Sequence, residues 1–193
     1  SMLTVRKARS DEFDAVMEFY TQMIDQMQGT DFDVQWRHGG HPSPAFLRES
    51  LDAGYLYVGV LEGEGIVCAM VVNREGSPGY EAVPWGVDAP PESVGVLHVV
   101  ATLPAYHGRG LARRLLQGVI EDSRACGLAA LRLDTFPHNV RGRGLYESCG
   151  FADKGEWTVY YPALGHIQVA MYELPLRRLA FPFEQIQQFL AGV

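Results

Sequence analysis

A glycine-rich turn between an apolar stretch and a helical pattern is the segment of this chain best suited to bind an anion. It consists of His107, Gly108, Arg109, Gly110, Leu111 and Ala112, and it follows the apolar residues 94–101. Backbone N–H groups at a helix start lack intrahelical partners and carry partial positive charge. The glycines have no Cβ to block a phosphate. The segment therefore predicts a phosphate-binding turn, with an ordinary strand–turn–helix corner as the alternative.

The spacing of these glycines excludes two common phosphate-binding motifs. A P-loop requires Lys and then Ser or Thr after its last glycine, and no such pair follows Gly110. The dinucleotide fingerprint G-x-G-x-x-G/A requires a third small residue, and Arg113 stands at that position. The turn therefore belongs to a different class of anion-binding loop.

Two motifs, in this order along the chain, resemble those of the GCN5-related N-acetyltransferases, the GNAT superfamily. The turn is similar to that family's R/Q-x-x-G-x-G/A loop, with His107 where the family usually has Arg or Gln. A later segment resembles N-x-x-A-x-x-L-Y-E-x-x-G-F, and it contains Asn139, Gly142 in place of the usual Ala, Leu145, Tyr146, Glu147, Gly150 and Phe151. The resemblance covers residues 3–174 and is strongest over residues 94–151.

This resemblance implies an enzyme that uses acetyl-CoA as cosubstrate and acetylates a primary amine of a small molecule or peptide by direct attack. The main chain of Val100, Ala101 and Thr102 would contact the pantetheine arm. The pyrophosphate would lie on the N–H groups of residues 107–112, and Asn139 would touch the cofactor. The residues alone leave two alternatives open, a core role for Val100 and a helix N-cap role for Asn139.

Tyr146 is the expected proton donor to the leaving thiolate, because it matches the family's helix tyrosine. A phenol with a pKa of about 10 can donate a proton without being ionised at rest. The alternative is a tyrosine that packs under the sheet.

The general base is left open by the sequence. A free alkylamine is protonated at neutral pH, so a proton must be removed before or during attack. No acid lies in residues 94–101, and His98 is the titratable group there. Strand alternation predicts that it shares a face with Val96 and Val100, and its ordinary pKa of about 6.5 suits a base. The alternatives are a hydrogen-bonded core role for His98, Asp134 as base or as a holder of a cationic amine, and a water molecule.

Aromatic residues are expected to line the acceptor pocket, with a place in the core as the alternative, and they are Trp36, Tyr80, Trp85, Trp157 and Tyr160. No metal site is predicted, because His38 and His41 have no third ligand at a suitable spacing.

A second interpretation of the two motifs is a catalytically silent acyl-CoA sensor that regulates a partner. Asn139 and Tyr146 favour the enzyme, since a sensor has no use for a proton donor.

The elements that position these residues form an α/β pattern with a mixed sheet, in the order β-α-α-β-β-β-α-β-α-β-β. Alternation and helical periodicity predict strands at 3–9, 55–61, 66–73, 94–101, 129–135, 157–161 and 166–174. They predict helices that begin at Ser10, at Ser43, at Leu111 and at Asn139. The order matches the GNAT fold, in which the fourth and fifth strands splay apart to admit the cofactor.

Composition narrows the class of protein. The 193 residues carry 16 Lys and Arg against 23 Asp and Glu, a net charge of −7, which argues against a nucleic-acid partner. We expect no membrane span, because no 18-residue apolar run exists, and no signal peptide, because the chain does not begin with a basic region followed by an apolar one. The three cysteines lack a disulfide framework, which favours free thiols and a cytoplasmic location.

The chain length predicts one domain over residues 2–174, as a member of the acetyltransferase family. Ser1 is interpreted as the remnant of a cleaved tag. Residues 175–193 are expected to form a helical extension that packs on the domain or on a partner subunit of a homodimer.

Overall fold

The computed structural model describes residues 2–176 and 190–192. Seven strands form one sheet in the order β1-β2-β3-β4-β5-β7-β6. The strands are β1 Leu3–Lys7, β2 Leu56–Leu61, β3 Gly65–Asn73, β4 Val94–Thr102, β5 Ala130–Thr135, β6 Ala152–Tyr161 and β7 Gly165–Pro175. The helices are α1 Phe13–Met27, α2 Pro44–Asp52, α3 Leu111–Ala125 and α4 Val140–Ser148. The mixed α/β fold expected from the sequence is confirmed.

The sheet opens between β4 and β5. These two strands run parallel, whereas the other neighbouring strands pair antiparallel. Their pairing runs from Val94 opposite Ala130 to Val96 opposite Arg132 and then stops. Because β4 continues to Thr102 and β5 to Thr135, the unpaired halves separate. The expected splay is confirmed, and it opens a cleft at the carboxyl ends of both strands.

Helices cover both faces of the sheet. Leu115, Leu116 and Val119 of α3 are buried against Leu131 and Leu133 of β5 on one face. On the other face, α1 and α2 bury the residues Val16, Tyr20, Ile24, Leu47 and Leu51 against β2 and β3. Each fully buried aliphatic side chain contributes about 1.5–3 kcal/mol to stability. These two cores fix the strands that flank the cleft.

A bulge interrupts β4 in its middle. Val71 of β3 lies opposite His98 and Ala69 lies opposite Ala101, so β4 has one more residue than β3 in this interval. Val99 has φ 47°, a left-handed conformation that a β-branched residue rarely adopts. Such a bulge leaves the extra residue out of the ladder and bends the strand.

The bulge makes one sequence-based expectation wrong. Val100 packs with the α3 core, whereas His98 stacks edge-on against Phe46 of the α2 side, with ring centroids 6.1 Å apart. His98 and Val100 therefore do not share a face, because the extra residue shifts the alternation between them.

The boundaries of most elements lie within one or two residues of the expected positions. Ser43 caps α2 as expected, since its Oγ accepts a hydrogen bond from the Phe46 N–H at 3.0 Å. The sixth strand differs, because it begins at Ala152 and contains a register shift between Asp153 and Glu156. The helical extension expected within residues 175–193 falls mainly on residues 177–189, which lie outside the described residues. In the part of the chain that is described, no helix is long and apolar enough to cross a membrane.

Candidate active site

The glycine-rich turn presents a run of free backbone N–H groups. Gly108 has φ 77° and Gly110 has φ 71°, both left-handed, and Gly110 is the N-cap of α3. Among the described residues, no backbone or side-chain acceptor bonds the N–H groups from Gly108 to Arg113; the next one, of Arg114, bonds the Gly110 carbonyl oxygen at 3.1 Å. A Cβ added at either glycine would meet nothing within 4 Å. The space in front of these N–H groups is therefore open to a ligand.

His107 connects the glycine-rich turn to the end of β4. Its Nε2 lies 2.9 Å from the Thr102 carbonyl oxygen, which can only accept, so Nε2 carries the hydrogen. Its ring packs edge-on against Phe32, with centroids 5.0 Å apart. Partial burial lowers the pKa of His107 below its ordinary value. The residue therefore fixes the end of β4 to the turn instead of presenting a positive charge as the Arg of the family motif would.

A first cleft of about 320 Å³, here called the turn cleft, lies in front of the free N–H groups. Of the residues expected to bind cofactor, it is lined by Val100, Ala101, Thr102, His107, Gly108, Gly110, Leu111, Ala112 and Asn139. Arg109 is the exception, because its guanidinium lies over the Tyr106 ring at 5.4 Å. Arg113 and Arg141 line the cleft and supply positive charge beside the turn.

Asn139 joins the turn cleft to α4. Its Oδ1 accepts from the Gly142 N–H at 3.1 Å, and its Nδ2 donates to Thr135 Oγ1 at 2.9 Å. The N-cap role, one of two alternatives, is present, and the residue also lines the cleft. A Cβ at position 142 would lie 2.4 Å from Asn139 Nδ2, which explains glycine where the family motif usually has alanine.

A second cleft of about 670 Å³, here called the acceptor cleft, lies on the other side of β4 and β5. It is lined by Trp36 and His41 from the α1–α2 connection, by His98 and Asp134 from the splayed strands, and by residues 161–164 of the β6–β7 turn. Val34, Val100 and Tyr146 line both clefts. The two clefts therefore meet at these three residues.

Tyr146 is the polar side chain at this junction. The residue is 5% exposed, and its ring packs against Phe151 and Tyr172. Within the described part of the chain, its hydroxyl makes no hydrogen bond, and because no fully buried side-chain N or O atom there lacks a partner, this hydroxyl is not fully buried. Burial raises the pKa of Tyr146, so the hydroxyl stays protonated at neutral pH. A protonated hydroxyl without a partner is available to donate to a molecule that spans the two clefts.

Asp134 stands at the end of β5 with both carboxylate oxygens occupied by tyrosines. The Tyr80 hydroxyl donates to Oδ2 at 2.6 Å, and the Tyr161 hydroxyl donates to Oδ1. Burial raises the pKa of Asp134, and the two hydroxyl donors and the nearby His41 oppose that rise. Burial also raises the pKa of both tyrosines, which therefore remain neutral donors.

His98 is held in a single tautomer. Its Nε2 lies 2.9 Å from the Glu75 carbonyl oxygen and 2.8 Å from Asn73 Oδ1. Since a carbonyl oxygen only accepts, Nε2 carries the hydrogen, and the lone pair of the neutral ring is on Nδ1. Burial lowers the pKa of His98 below its ordinary value. The ring is therefore a neutral acceptor at neutral pH.

The five aromatic residues expected in the acceptor pocket lie in different places, and Trp157 and Tyr160 do not line the acceptor cleft. Trp36 lines the acceptor cleft. Tyr80 is buried and reaches the cleft through its hydrogen bond to Asp134. Trp85 lies apart, because its Nε1 donates to the Tyr80 carbonyl oxygen at 2.9 Å and its ring stacks on the Arg132 guanidinium at 4.5 Å.

Sequence reasoning missed two contributors to these clefts, Arg141 and Tyr161. Arg141 follows Asn139 in the second motif, and a basic residue at a helix start facing the glycine turn was a usable signal. Tyr161 carried no signal, because its partner Asp134 is distant in the chain and the two meet only through the sheet. In residues 2–176 and 190–192, no group of three His, Cys, Asp or Glu residues is arranged to hold a metal ion.

The splayed sheet, the free-amide turn and the two clefts that meet at a tyrosine define an acyl-transferase type of α/β protein. The model of the Acetyltransferase (GNAT) family matches residues 21–151. The chain belongs to this family.

Its relatives include bacterial acetyltransferases. The chain is 32% identical over 140 residues to the uncharacterized protein ML0378 of Mycobacterium leprae, covering 72% of this chain and 33% of that protein. It is 31% identical over 144 residues to the N-alpha-acetyltransferase RimI of Mycobacterium tuberculosis, covering 73% of this chain and 81% of that protein. The chain thus spans about a third of the length of the first relative and most of the second.

A solved structure shares the fold. The structure of yncA from Salmonella typhimurium with its cofactor acetyl-CoA has a TM-score of 0.65 and 20% identity, and the match covers 94% of this chain and 98% of that one. At 20% identity, this similarity shows that the two proteins share a fold and nothing more.

Proposed function

We propose that this protein is an acetyl-CoA-dependent N-acetyltransferase that acetylates a primary amine. The main support for this proposal is the position of Tyr146, whose protonated hydroxyl has no hydrogen-bond partner among the described residues and lies where the turn cleft meets the acceptor cleft. The family membership and the relative named as an N-alpha-acetyltransferase support the same reaction class.

The turn cleft fits acetyl-CoA in charge and in shape. The free N–H groups from Gly108 to Arg113 match the oxygens of a pyrophosphate, and Arg113 and Arg141 add positive charge. Both glycines of the turn leave open the volume that a Cβ would fill. The main chain of residues 100–102 would hold the pantetheine arm and lead it toward Tyr146. Bound there, acetyl-CoA supplies an activated acyl carbon, so placement and proton handling remain for the protein.

The reaction requires a proton for the leaving sulfur, and Tyr146 is placed to donate it. The amine nitrogen forms a bond to the acyl carbon, the carbon–sulfur bond breaks, and the sulfur takes a proton. Tyr146 holds that proton, because burial keeps its hydroxyl protonated until a thiolate develops beside it.

His98 is the proposed acceptor of the proton that the amine loses. Its Nε2–H is fixed on the Glu75 carbonyl oxygen, so the free lone pair lies on Nδ1 in a residue that lines the acceptor cleft. The lowered pKa of His98 keeps the ring neutral and able to accept a proton at neutral pH.

A thiol-release assay with a panel of primary amines tests the function, with acetyl-CoA binding followed by thermal unfolding. Acetyl-CoA at about 100 times its Kd should stabilise the fold by about 2.7 kcal/mol. Thiol release with at least one amine supports the transferase. Binding without release for every amine indicates the acyl-CoA sensor instead, and no binding at all contradicts both.

A further inference from the structure

The acceptor cleft contains a carboxylate that pairs with no cationic side chain of the described residues. Asp134 lines the cleft, and among the residues that the structure describes it accepts hydrogen bonds only from the Tyr80 and Tyr161 hydroxyls. Within the described ranges, no Lys or Arg nitrogen lies within 4.0 Å of its oxygens. Burial raises the pKa of this carboxyl and the two hydroxyl donors oppose that rise, so a cation beside it would favour the ionised form further.

The described residues that line the cleft supply no such cation to Asp134 at neutral pH. His41 is the titratable neighbour whose charge acts on Asp134, but desolvation lowers the pKa of His41 and keeps its ring neutral. Arg37 lines the mouth of the cleft, and its Nη1 donates to the Trp36 carbonyl oxygen at 2.6 Å and lies 3.4 Å from Asp33 Oδ1. The guanidinium is therefore engaged away from Asp134.

Asp134 has room for another donor. A carboxylate offers about four acceptor positions on its two oxygens, and the two tyrosine hydroxyls use two of them. The tyrosines come from separate segments, a short 3-10 turn at residues 80–82 and the end of β6, and together they fix the orientation of the carboxylate. An ammonium group with several N–H donors matches the positions that remain.

The rest of the lining is largely apolar. Trp36, Leu97, Leu133, Phe136, Leu164 and Val169 line the cleft around the carboxylate. A volume of about 670 Å³ lies in the range of small-molecule sites. The lining therefore favours a ligand with one cationic end and an apolar body.

We propose that Asp134 is the ammonium-binding residue of the acceptor cleft, and that the cleft takes a primary ammonium carried on an apolar or aromatic group. The proposal rests on the transferase function above and names its substrate class. Asp134 then positions the amine. Of the two protons that the ammonium nitrogen loses on becoming an amide, His98 accepts one and the other restores the Tyr146 hydroxyl after it has protonated the sulfur. The ammonium can belong to a free amine or to the N-terminus of a peptide with an apolar first residue.

Binding of charge-matched probes in the presence of coenzyme A tests this proposal by calorimetry. Phenethylamine and phenethyl alcohol share their apolar body and differ in charge, and N,N-dimethylphenethylamine keeps the charge without being a primary amine. Wild-type protein should bind phenethylamine about tenfold or more tighter than the alcohol. The tertiary amine keeps the charge but has a single N–H donor, so its affinity should lie between the two. Asp134→Asn should remove that preference and leave coenzyme A binding unchanged.

Asp122→Asn is the matched control, because Asp122 also accepts a hydrogen bond from a tyrosine, Tyr57, yet lies outside the acceptor cleft. It should retain the preference for the amines. Equal binding of the amines and the alcohol by wild-type protein overturns the proposal, and this comparison does not depend on the folding of any variant. An unchanged preference in a folded Asp134→Asn protein overturns it as well.

Two further arms separate the remaining outcomes. Methylamine, which has the charge without the apolar body, should bind about tenfold or more weaker than phenethylamine, and equal binding contradicts the apolar requirement. A dipeptide with N-terminal Phe distinguishes a peptide acceptor from a free amine. Asp134-dependent amine binding without thiol release would contradict the transferase function and leave the ammonium site supported.

Discussion

The hydroxyl of Tyr20 donates a hydrogen bond to the carbonyl oxygen of Val99 at 2.8 Å, which connects α1 to the bulge of β4. Both residues are buried, and Val99 holds a left-handed backbone conformation. Such strained residues persist where the surrounding structure fixes them. The next residue, Val100, lines both clefts, so this hydrogen bond supports the place where the clefts meet.

Tyr20→Phe should therefore destabilise the fold and weaken function together. The substitution leaves the Val99 carbonyl oxygen buried without a donor, which costs about 1–3 kcal/mol. For a domain of this size, the melting temperature should fall by about 2–4 °C per kcal/mol. Calorimetry and the thiol-release assay measure both effects. Tyr160→Phe is the control, because Tyr160 is exposed and should change neither value. A Tyr20→Phe protein with wild-type stability would show that the bulge does not depend on this hydrogen bond.

Gly110→Ala should lower both stability and affinity for acetyl-CoA. Its φ of 71° strains any residue with a Cβ, at about 1–2 kcal/mol, and that Cβ would enter the space before the free N–H groups. Gly63→Ala is the matched control, since Gly63 has φ 79° and open space in the β2–β3 turn, away from the cleft. Thermal unfolding should show similar strain in both variants, whereas titration should show weaker acetyl-CoA binding only for Gly110→Ala. Equal loss of acetyl-CoA affinity in the two variants would show that the glycine-rich turn does not bind the cofactor.

The sequence predicted the elements that local pattern determines. The apolar spacing of α3 and the Ser43–Pro44 start of α2 are properties of a few neighbouring residues, and the structure matches both. The glycine turn was readable for the same reason, because left-handed φ values are encoded by glycine itself.

The β4 bulge and the carboxylate site were not readable in this way. Val99 is a β-branched residue in a strand-like run, so nothing local indicated its positive φ, and only pairing with β3 and the bond from Tyr20 produce it. Asp134 was noticed, but its two tyrosine donors lie 54 and 27 residues away in the chain. Contacts at such separations depend on the whole sheet, which a single sequence does not reveal.

The rate of acetyl transfer should fall on acidification, with the midpoint of the fall below about 6.5, the ordinary pKa of histidine. Burial lowers the pKa of His98, so the neutral base persists at neutral pH and is lost only as pH falls through this lowered value. His98→Gln should reduce turnover and abolish this acidic limb in a pH–rate profile. His41→Gln is the control, because His41 also has a lowered pKa and lines the same cleft, and it should keep the limb. If the fall in rate at acidic pH persists in His98→Gln, a group other than His98 is responsible for it.

Tyr146→Phe should lower turnover by about 100-fold or more while acetyl-CoA affinity stays within about twofold, because only the proton of the hydroxyl is removed. The ring contacts with Phe151 and Tyr172 remain, so the fold should be retained. Tyr106→Phe is the matched control: Tyr106 lines the turn cleft, and its hydroxyl donates outward to Glu64 at 2.9 Å. Steady-state kinetics and acetyl-CoA titration of both variants separate chemistry from binding. Wild-type turnover in Tyr146→Phe would exclude this hydroxyl as the donor, whereas a parallel loss of acetyl-CoA affinity would assign it a binding role.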